Sequence, residues 1–489
     1  METGTHGQTV TKDCRVCNRR RIKCDRTVPS CRKCNIKGVE CPGYGPLIRW
    51  TNAAAIRGRY KGLGTLATFR AARQSTSSTI PVDLQANEID QSFKDQASHS
   101  SVELLTRPLP ERIVDRLLHH YSTSIAPLMV WLDSEHNPYK RLVVPLSETH
   151  AVLRLALLAI SAAHVQHELK LEATFAHSAG QNAVIMITDR VRQFIEMSED
   201  GRRAEILDDN REIEAILAAI LTLSNHSLLK SEIFPAQSHR HAARVLINTL
   251  SLSRPSDDEL TIFLRNQLAT YDILACTTLF NHRHVEHVTL PVPGQDVPFG
   301  RFLEIIQRIT MCSFQHQGDV QPTHTLSLLN LETEFDLSHG LTLMAAGPLM
   351  TGSAKQPSSS DFVRVSQLYH HAGMIYACGR LRITDKATVN RLEKEHSTKL
   401  FHALRNIENV DVCLQNFPWP ILIAGTVTHG DPERRQIVRS LCEQICTDTR
   451  FEHYTNLSTF LEELWQGPNE DWCLLARQWE ERGQPIIAV

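Results

Sequence analysis

Residues 14–41 of this chain read CRVCNRRRIKCDRTVPSCRKCNIKGVEC, and six of the 13 cysteines lie within this stretch. Their spacing, Cys-x2-Cys-x6-Cys, occurs twice, and the second copy follows the first by 17 residues. The first copy contains Cys14, Cys17 and Cys24, and the second contains Cys31, Cys34 and Cys41. Regularly spaced thiols in a reducing compartment indicate metal binding more often than disulfides. The strict repeat therefore predicts two equivalent halves of one metal site.

The number of metal ions follows from coordination chemistry. Structural zinc is tetrahedral, so two ions require eight ligand positions, and six thiolates supply eight only if two of them bridge both ions. The repeat requires the bridging pair to be equivalent by symmetry, such as Cys14 with Cys31. Two alternatives stay open, namely one zinc bound by the first two cysteines of each copy, and a disulfide framework. Residues 1–11 are polar and contain no secretory signal, which disfavours disulfides.

Charge is distributed unevenly along the 489 residues, although the formal net charge is only −2. Residues 1–73 contain 16 Lys and Arg against 4 Asp and Glu, whereas the remainder contains 36 against 50. This basic N-terminal region followed by an acidic remainder predicts a polyanionic partner for residues 1–73 alone. The most apolar stretch, residues 155–165, is too short to cross a bilayer, so we expect no membrane partner.

Composition divides the chain into three parts. The cysteine module covers residues 12–43. Residues 44–103 begin as a basic, glycine-containing extension and continue, from residue 74, as a stretch rich in Ser, Gln and Asp that predicts a disordered linker. From residue 104 to 489 the apolar residues recur at helical spacing, and we call this part the helical body.

The helical body shows amphipathic periodicity at several places. Pro110 marks the start of one helix, and residues 149–168 are apolar around most of a helical circumference, which predicts a central helix. Ser256 and Glu259 match a capping box that begins another helix. Apolar stripes at helical spacing are formed by Ile113, Leu117, Tyr121, Ile213, Ile216, Leu217, Ile220, Leu221, Leu260, Phe263, Leu264 and Leu268. Because strand-like alternation is scarce, the predicted fold class is all-α.

The cysteine module resembles the fungal-type six-cysteine binuclear zinc cluster, Zn(2)-C(6). The resemblance rests on all six cysteines, the basic run before the third, Asp25 directly after it, and Pro29 in the following loop. It implies two short helices, each following a Cys-x2-Cys, and two Zn²⁺ ions per chain that are held by the six cysteines. It also implies that the first and fourth cysteines, Cys14 and Cys31, bridge the two ions, and that the partner is double-stranded DNA.

Four basic residues lie between Cys17 and Cys24, namely Arg19, Arg20, Arg21 and Lys23. A metal cluster that fixes the backbone would hold such donors ready for the major groove, where the arginine fork matches guanine O6 and N7. The resemblance implies base contacts by Arg20 and Arg21 and a CGG-like target triplet. Arg21 and Asn18 differ from the residues common in the family, which leaves the base preference open. We expect phosphate contacts from the other charges of the module, Arg15, Lys23, Arg32 and Lys33.

The helical body, over residues 104–480, resembles the fungal-specific transcription factor domain, which is helical and regulatory. The resemblance is carried by Tyr121, Pro127-Leu-Met129, Asp133, Asn137-Pro138, Pro145-Leu146, Ala156-Leu-Leu-Ala-Ile-Ser-Ala-Ala-His164 and Trp419-Pro420-Ile-Leu-Ile-Ala-Gly425. No Gly-x-Ser-x-Gly, Walker or His-Glu-x-x-His motif occurs, so we predict that the chain is not an enzyme. His164 and Trp419 are expected to pack in the core, and the histidines of residues 282–287 to mark a polar helix end or loop in preference to a metal site.

These features predict a zinc-dependent, sequence-specific transcription factor of RNA polymerase II genes in a fungal nucleus. Its partners would be DNA and the transcription machinery or co-regulators. A homodimer would form through the helical body, since residues 74–103 show no heptad pattern, and binding as a monomer stays open. The alternatives are a zinc-dependent protein–protein adaptor that does not touch DNA, and a ligand sensor or enzyme with an incidental zinc module.

Overall fold

The computed structural model divides into two compact units, with the boundary between residues 77 and 78. In the first unit it describes residues 13–14, 16–17, 20, 22–27, 31–37, 39 and 41. In the second unit it describes residues 110–165, 173–199, 210–253, 258–281, 288–292, 298–315, 326–350, 356–381, 383–428, 430–468 and 471–489. The predicted basic extension and linker, residues 44–103, lie outside these ranges, as does the histidine-rich stretch 282–287.

The described part of the first unit contains short helical segments at both pairs of cysteines. Helix α1, Arg32–Ile36, begins directly after Cys31, whose side chain accepts a hydrogen bond from the backbone N–H of Cys34. Before the third cysteine, the N–H of Arg20 donates to the carbonyl of Val16 over 3.0 Å, which is the i to i−4 bond of a helical turn. Among the described residues, helical backbone therefore occurs within each Cys-x2-Cys pair, at residues 16–17 in the first copy and at the start of α1 in the second.

The second unit is built of α-helices, and no β-strand occurs among its described residues. They are α2 (Glu111–His120), α3 (Val144–Thr149), α4 (Ala151–His164), α5 (Ala173–Glu199), α6 (Asn210–Leu229), α7 (Ile233–Ser253), α8 (Glu259–Cys276), α9 (Gly300–Gln315), α10 (Leu328–Ala346), α11 (Ser359–Arg380), α12 (Lys386–Arg405), α13 (Pro418–Thr426), α14 (Pro432–Thr449), α15 (Tyr454–Gln466) and α16 (Trp472–Glu481). Short π-helical or 3-10 segments cover Tyr121–Ile125, Ala126–Met129, Tyr139–Val143, Gly347–Leu349 and Leu414–Asn416. The predicted all-α fold class is confirmed.

Helices α4 and α6 form the middle of the body, where they pack against each other. The five predicted stripe residues of α6, from Ile213 to Leu221, are all buried, which confirms that stripe. Helix α6 is long and apolar enough to cross a membrane by length and composition, but 94% of its apolar window is buried within the body. Burial of this kind is typical of a core helix, because a helix that is apolar all round avoids water by packing inside the domain.

Helix starts in the body are capped by polar side chains. Ser358, Asp385, Asp431 and Asp471 each accept a hydrogen bond from a backbone N–H three residues further on. The capping box predicted at Ser256 is wrong, because α8 begins two residues later than that motif requires. Its N-cap is Asp258, whose carboxylate accepts hydrogen bonds from the N–H groups of the second and third helical residues, over 3.0 and 3.4 Å.

Aromatic side chains fill the interior where α9, α11 and α13 meet. The fully buried Trp419 stacks on Tyr369, with ring centroids 5.7 Å apart, and its indole N–H donates to the Thr277 hydroxyl over 3.1 Å. Tyr369 in turn lies 4.8 Å from the ring of Phe299. The predicted packing role of Trp419 at a helix start is confirmed. So is the core position of His164, which is 5% exposed and hydrogen-bonded to another imidazole over 3.0 Å.

Candidate metal centre and nucleic-acid interface

The sulfur atoms of the cysteine module lie together in two overlapping sets of four. Within each set, all four sulfurs lie within 4.8 Å of one another. One set contains Cys14, Cys17, Cys24 and Cys31, and the other contains Cys14, Cys31, Cys34 and Cys41. The structure thus brings together all six cysteines that the sequence singles out. The two residues common to both sets, Cys14 and Cys31, are the pair that the 17-residue repeat relates to each other.

The sulfur–sulfur distances are those of tetrahedral zinc coordination. The Sγ atom of Cys14 lies 3.6 Å from that of Cys31 and 3.7 Å from that of Cys34. The Sγ atoms of Cys17 and Cys31 are also 3.6 Å apart. A tetrahedron with zinc–sulfur bonds of about 2.3 Å has edges of about 3.8 Å. The donor set and its dimensions therefore fit zinc without rearrangement of these side chains.

The internal repeat of the sequence is visible in the hydrogen bonds of the module. In the first copy, the backbone N–H of Cys17 donates to the sulfur of Cys14 over 3.4 Å. In the second copy, the N–H of Cys34 donates to the sulfur of Cys31 over 3.3 Å. Two backbone bonds repeat in the same way, and both measure 3.0 Å: Ile22 N–H to the Cys17 carbonyl and Val39 N–H to the Cys34 carbonyl. The two copies therefore fold alike around the sulfur cluster.

Three of the thiols in the cluster stay protonated near neutral pH unless a cation binds to them. Burial raises the pKa of Cys14, Cys17 and Cys34 to about 12, because each thiolate would be removed from water among other sulfurs. Burial acts in the same direction on Cys24, but backbone N–H groups of Cys14 and Arg26 outweigh it and lower the pKa of that thiol to about 7. A divalent cation supplies the missing charge and deprotonates coordinating thiols. The cluster therefore suits a cation as its central partner.

Asp25 fixes the start of α1 relative to the first copy of the repeat. Its carboxylate accepts hydrogen bonds from the hydroxyl of Thr27 over 2.7 Å and from the backbone N–H groups of Arg32 and Lys33 over 2.9 and 3.2 Å. These contacts, led by the Thr27 hydroxyl, hold the pKa of Asp25 well below its ordinary value. Sequence reasoning used Asp25 only as a mark of family resemblance. A lone carboxylate in a basic stretch just before a helix was the available signal for this capping role.

Four of the seven basic residues predicted to contact DNA lie among the described residues. Lys23, Arg32 and Lys33 are exposed. Arg20 is only partly exposed, and its Nη1 atom is buried without a hydrogen-bond partner in the described part of the chain. Five residues quoted from the module lie outside the described part: Arg15, Arg19, Arg21, Asn18 and Pro29. The exposed cations are open to phosphate oxygens, whereas Arg20 is half-buried and has one buried donor nitrogen.

Two protein families match this chain. The fungal specific transcription factor domain matches residues 116–480, which is more than half of the chain, and the fungal Zn(2)-Cys(6) binuclear cluster domain matches residues 12–51. The acriflavine sensitivity control protein acr-2 of Neurospora crassa is 25% identical over 351 residues. That match covers 55% of this chain and 57% of the relative, so the chain spans little more than half the length of that protein. No solved structure matches significantly.

Proposed function

Since the chain belongs to the family with a fungal-specific transcription factor domain and carries a Zn(2)-Cys(6) cluster domain, we propose that it binds CGG-like triplets in double-stranded DNA and regulates RNA polymerase II genes. Transcription regulation, zinc binding and DNA binding are properties of these domains, which are typically nuclear and non-enzymatic. The observation that carries the proposal is the overlap of the two four-sulfur sets beside exposed cations. The proposed location is the nucleus.

The proposal includes two zinc ions per chain as the structural centre of the module. Their ligands are Cys14, Cys17, Cys24, Cys31, Cys34 and Cys41. Each four-sulfur set supplies one complete tetrahedron, and the two tetrahedra share the edge from Cys14 to Cys31, which are 3.6 Å apart. A single ion bound by the first two cysteines of each copy would leave Cys24 and Cys41 without a role, although each of them completes a set of four.

DNA recognition is assigned to the basic residues of the module. We assign base contacts to Arg20 and Arg21, because a planar guanidinium can donate to both guanine acceptors at once. The phosphate contacts are assigned to Arg15, Lys23, Arg32 and Lys33, and Arg19 is assigned to the DNA-binding surface without a choice between base and phosphate. Asp25 accepts hydrogen bonds from the backbone N–H groups of Arg32 and Lys33, which fixes the backbone that carries these two exposed side chains. The backbone of the cluster thereby positions phosphate donors around the base-reading arginines.

The three parts of the chain take separate tasks in this proposal. Residues 12–43 bind DNA, residues 44–103 tether, and residues 104–489 regulate through the transcription machinery or co-regulators. A homodimer would use the helical body, and a monomer on a single triplet is the other arrangement. Sedimentation of the full chain with and without duplex DNA distinguishes the two.

The test compares two arginine variants of the full-length, zinc-loaded chain. Binding is measured by fluorescence anisotropy on a CGG-containing duplex and on a scrambled duplex, at several salt concentrations. Arg21→Ala is expected to lower the discrimination between the duplexes by about 1–3 kcal/mol, because a base contact is lost. Arg32→Ala is the matched control, since loss of a phosphate contact weakens binding to both duplexes equally and lowers the salt slope by about 1.

Two results would contradict the proposal. Equal weakening of both duplexes by Arg21→Ala would exclude Arg21 as a base reader. Failure of the wild-type chain to bind either duplex at low salt, with its zinc in place, would favour the protein–protein adaptor. Catalytic turnover has no supporting site among the described residues, so no enzymatic activity is proposed.

A further inference from the structure

Three buried histidines meet in the helical body where α11 packs against α12. His370 and His371 are consecutive residues of α11, and His396 lies on α12. One ring nitrogen of each histidine lies within 4.8 Å of a ring nitrogen of the other two. The three side chains belong to residues that are 6%, 9% and 1% exposed. Imidazole nitrogens gathered in so small a volume form a donor set that suits zinc and other first-row transition metals.

The nitrogens that face one another can be identified from their neighbours. The Nδ1 atom of His371 lies 3.1 Å from the Nδ1 atom of His396. The Nδ1 atom of His370 faces Asp336, and its Nε2 atom is buried with no hydrogen-bond partner among the described residues. Two nitrogens bound to one tetrahedral zinc at about 2.0–2.1 Å lie about 3.3 Å apart. The observed 3.1 Å separation is close to that value.

Two carboxylates of α10 lie behind the histidines. Oδ1 of Asp336 is 3.5 Å from Nδ1 of His370, and Oε1 of Glu332 is 3.4 Å from Nε2 of His396. A carboxylate behind the ring is common for metal-bound histidine, because it orients the imidazole and determines which nitrogen keeps its proton. The Asp336 side chain is 68% exposed, so this carboxylate links the buried His370 ring to the surface of the body.

The packing around the cluster holds the helices close together. The ring of Phe335, on α10, stacks on the ring of His370, with centroids 6.0 Å apart and an interplanar angle of 10°. A Cβ atom at Gly373 of α11 would lie only 2.4 Å from the Phe335 ring. Glycine at this position therefore allows the close approach that places Phe335 against the histidine. Donors held by surrounding packing bind a metal with little reorganisation.

We infer that His370, His371 and His396 form a metal site in the helical body, which binds a first-row divalent cation such as Zn²⁺ through three imidazole nitrogens. A neutral imidazole offers a nitrogen lone pair to a metal ion. The bound cation joins α11 to α12. Its nitrogen donors distinguish this site from the sulfur cluster, and it is independent of the proposed DNA specificity.

The test counts zinc in the untagged full-length chain after zinc loading and removal of loosely bound metal. Elemental analysis of wild type is expected to give one more zinc per chain than His371→Gln or His396→Gln. His402→Gln is the matched control, because His402 is an exposed histidine of the same helix α12 and should leave the count unchanged. Added Zn²⁺ should also raise the melting temperature of the body in wild type and in His402→Gln by a few degrees, but not in the other two variants.

A spectroscopic measurement on the wild type covers the case in which a histidine variant fails to fold. Co²⁺ added to a chain loaded with only the two equivalents of Zn²⁺ that the cysteine module takes should give intense visible d–d bands of a low-coordinate nitrogen site, without thiolate charge-transfer bands from that module. Weak bands of hydrated or surface-bound Co²⁺ would overturn the inference. So would equal zinc counts in wild type and in folded His371→Gln, since the three rings would then be joined by hydrogen bonds alone.

Discussion

Among the described residues of the cysteine module the buried side chains are five cysteines and Val16, whereas the interior of the helical body contains aromatic and aliphatic side chains such as Trp419, Tyr369 and Phe302. Clustered cysteine side chains bury little apolar surface, and their thiolate forms repel one another. The body instead removes large rings from water and packs them in stacked or edge-to-face contacts. The two regions therefore depend on different interactions for their stability.

This difference shows why a short segment can act as a separate domain. A segment of about 30 residues lies below the size at which apolar burial alone offsets chain entropy, and such domains usually require metals or disulfides. In the module, the free energy of metal binding replaces the contribution of an apolar core. The free energy of folding therefore depends directly on the affinity for zinc. In the body, stability is spread over many contacts, and no single ligand is expected to be essential for folding.

The largest effect is expected from Cys31→Ser, because this residue belongs to both four-sulfur sets. We expect complete loss of zinc from the module and of specific DNA binding, since structural zinc contributes about 10–16 kcal/mol to small zinc domains. The melting temperature of the body should not change. Cys446→Ser, at a partly buried cysteine of α14, is the control that removes a thiol outside the module.

Zinc analysis, DNA-binding titration and calorimetry on the same preparations measure these three quantities. Substitution is preferable to chelation here, because a chelator would also remove metal from the histidine site of the body. Retention of both zinc ions and of DNA discrimination by Cys31→Ser would contradict the bridging arrangement. A large drop in the melting temperature of the body would contradict the separation of the two regions.

Trp419→Ala is expected to destabilise the body and to leave the module unchanged, which is the reverse of Cys31→Ser. Its indole is fully buried, stacks on Tyr369 and donates a hydrogen bond to Thr277, so truncation leaves a cavity and removes that hydrogen bond, although the Thr277 hydroxyl still donates to the Leu274 carbonyl. We expect a loss of about 3–5 kcal/mol in the unfolding free energy of the body, with unchanged zinc content of the module. Leu337→Ala, at a residue 64% exposed on α10, should change that free energy by less than about 0.5 kcal/mol.

Denaturant unfolding monitored by tryptophan fluorescence and by circular dichroism measures the change. Loss of zinc from the module of Trp419→Ala, at a temperature where its body remains folded, would show that the two regions are energetically coupled. A loss below about 1 kcal/mol would show that the ring contributes little to the core.

The sequence predicts the module in more detail than the body, for a physical reason. Zinc coordination is satisfied by cysteines close together in the chain, so the spacing of Cys14, Cys17 and Cys24 already constrains the geometry. In the body, apolar periodicity predicts helices such as α4 and α6, because one helix encodes its own buried face. The all-α class follows from these local patterns.

Features created by packing between helices could not be predicted in the same way. His371 and His396 are 25 residues apart on different helices, and nothing in their local sequence indicates that their rings meet. The half-buried position of Arg20 likewise depends on the folded cluster, whereas its basic neighbours predict only a solvated loop. Helix α8 starts at Glu259 because Asp258 caps it, and sequence propensity alone does not choose between Asp258 and Ser256 as the cap.

The smallest change in stability is expected from Glu214→Gln in the body. Glu214 is a buried carboxyl group with a raised pKa, whereas the described carboxyl groups of the module have lowered pKa values. Burial, followed by the nearby carboxyl of Asp258, raises the pKa of Glu214 from 4.5 to about 7. The folded state therefore binds a proton that the unfolded state releases. This unfavourable contribution is absent below about pH 4.5, grows as the pH rises, and is complete above about pH 7.

Glutamine keeps the acceptor for the Thr261 hydroxyl, which lies 2.9 Å from the carboxylate, but carries no charge. At pH 8, the free energy of unfolding of Glu214→Gln should therefore exceed that of wild type by about 1 kcal/mol after allowance for solvent screening. At pH 5 the two should differ little. Denaturant unfolding at both pH values measures the difference. Glu135→Gln, at an exposed residue, should show no such pH dependence. Destabilisation by Glu214→Gln at pH 8 would mean that the Arg211 ion pair, 3.2 Å away, outweighs burial of the charge. The body would then stabilise a buried carboxylate with a side-chain ion pair, whereas the thiolates of the module require a metal cation.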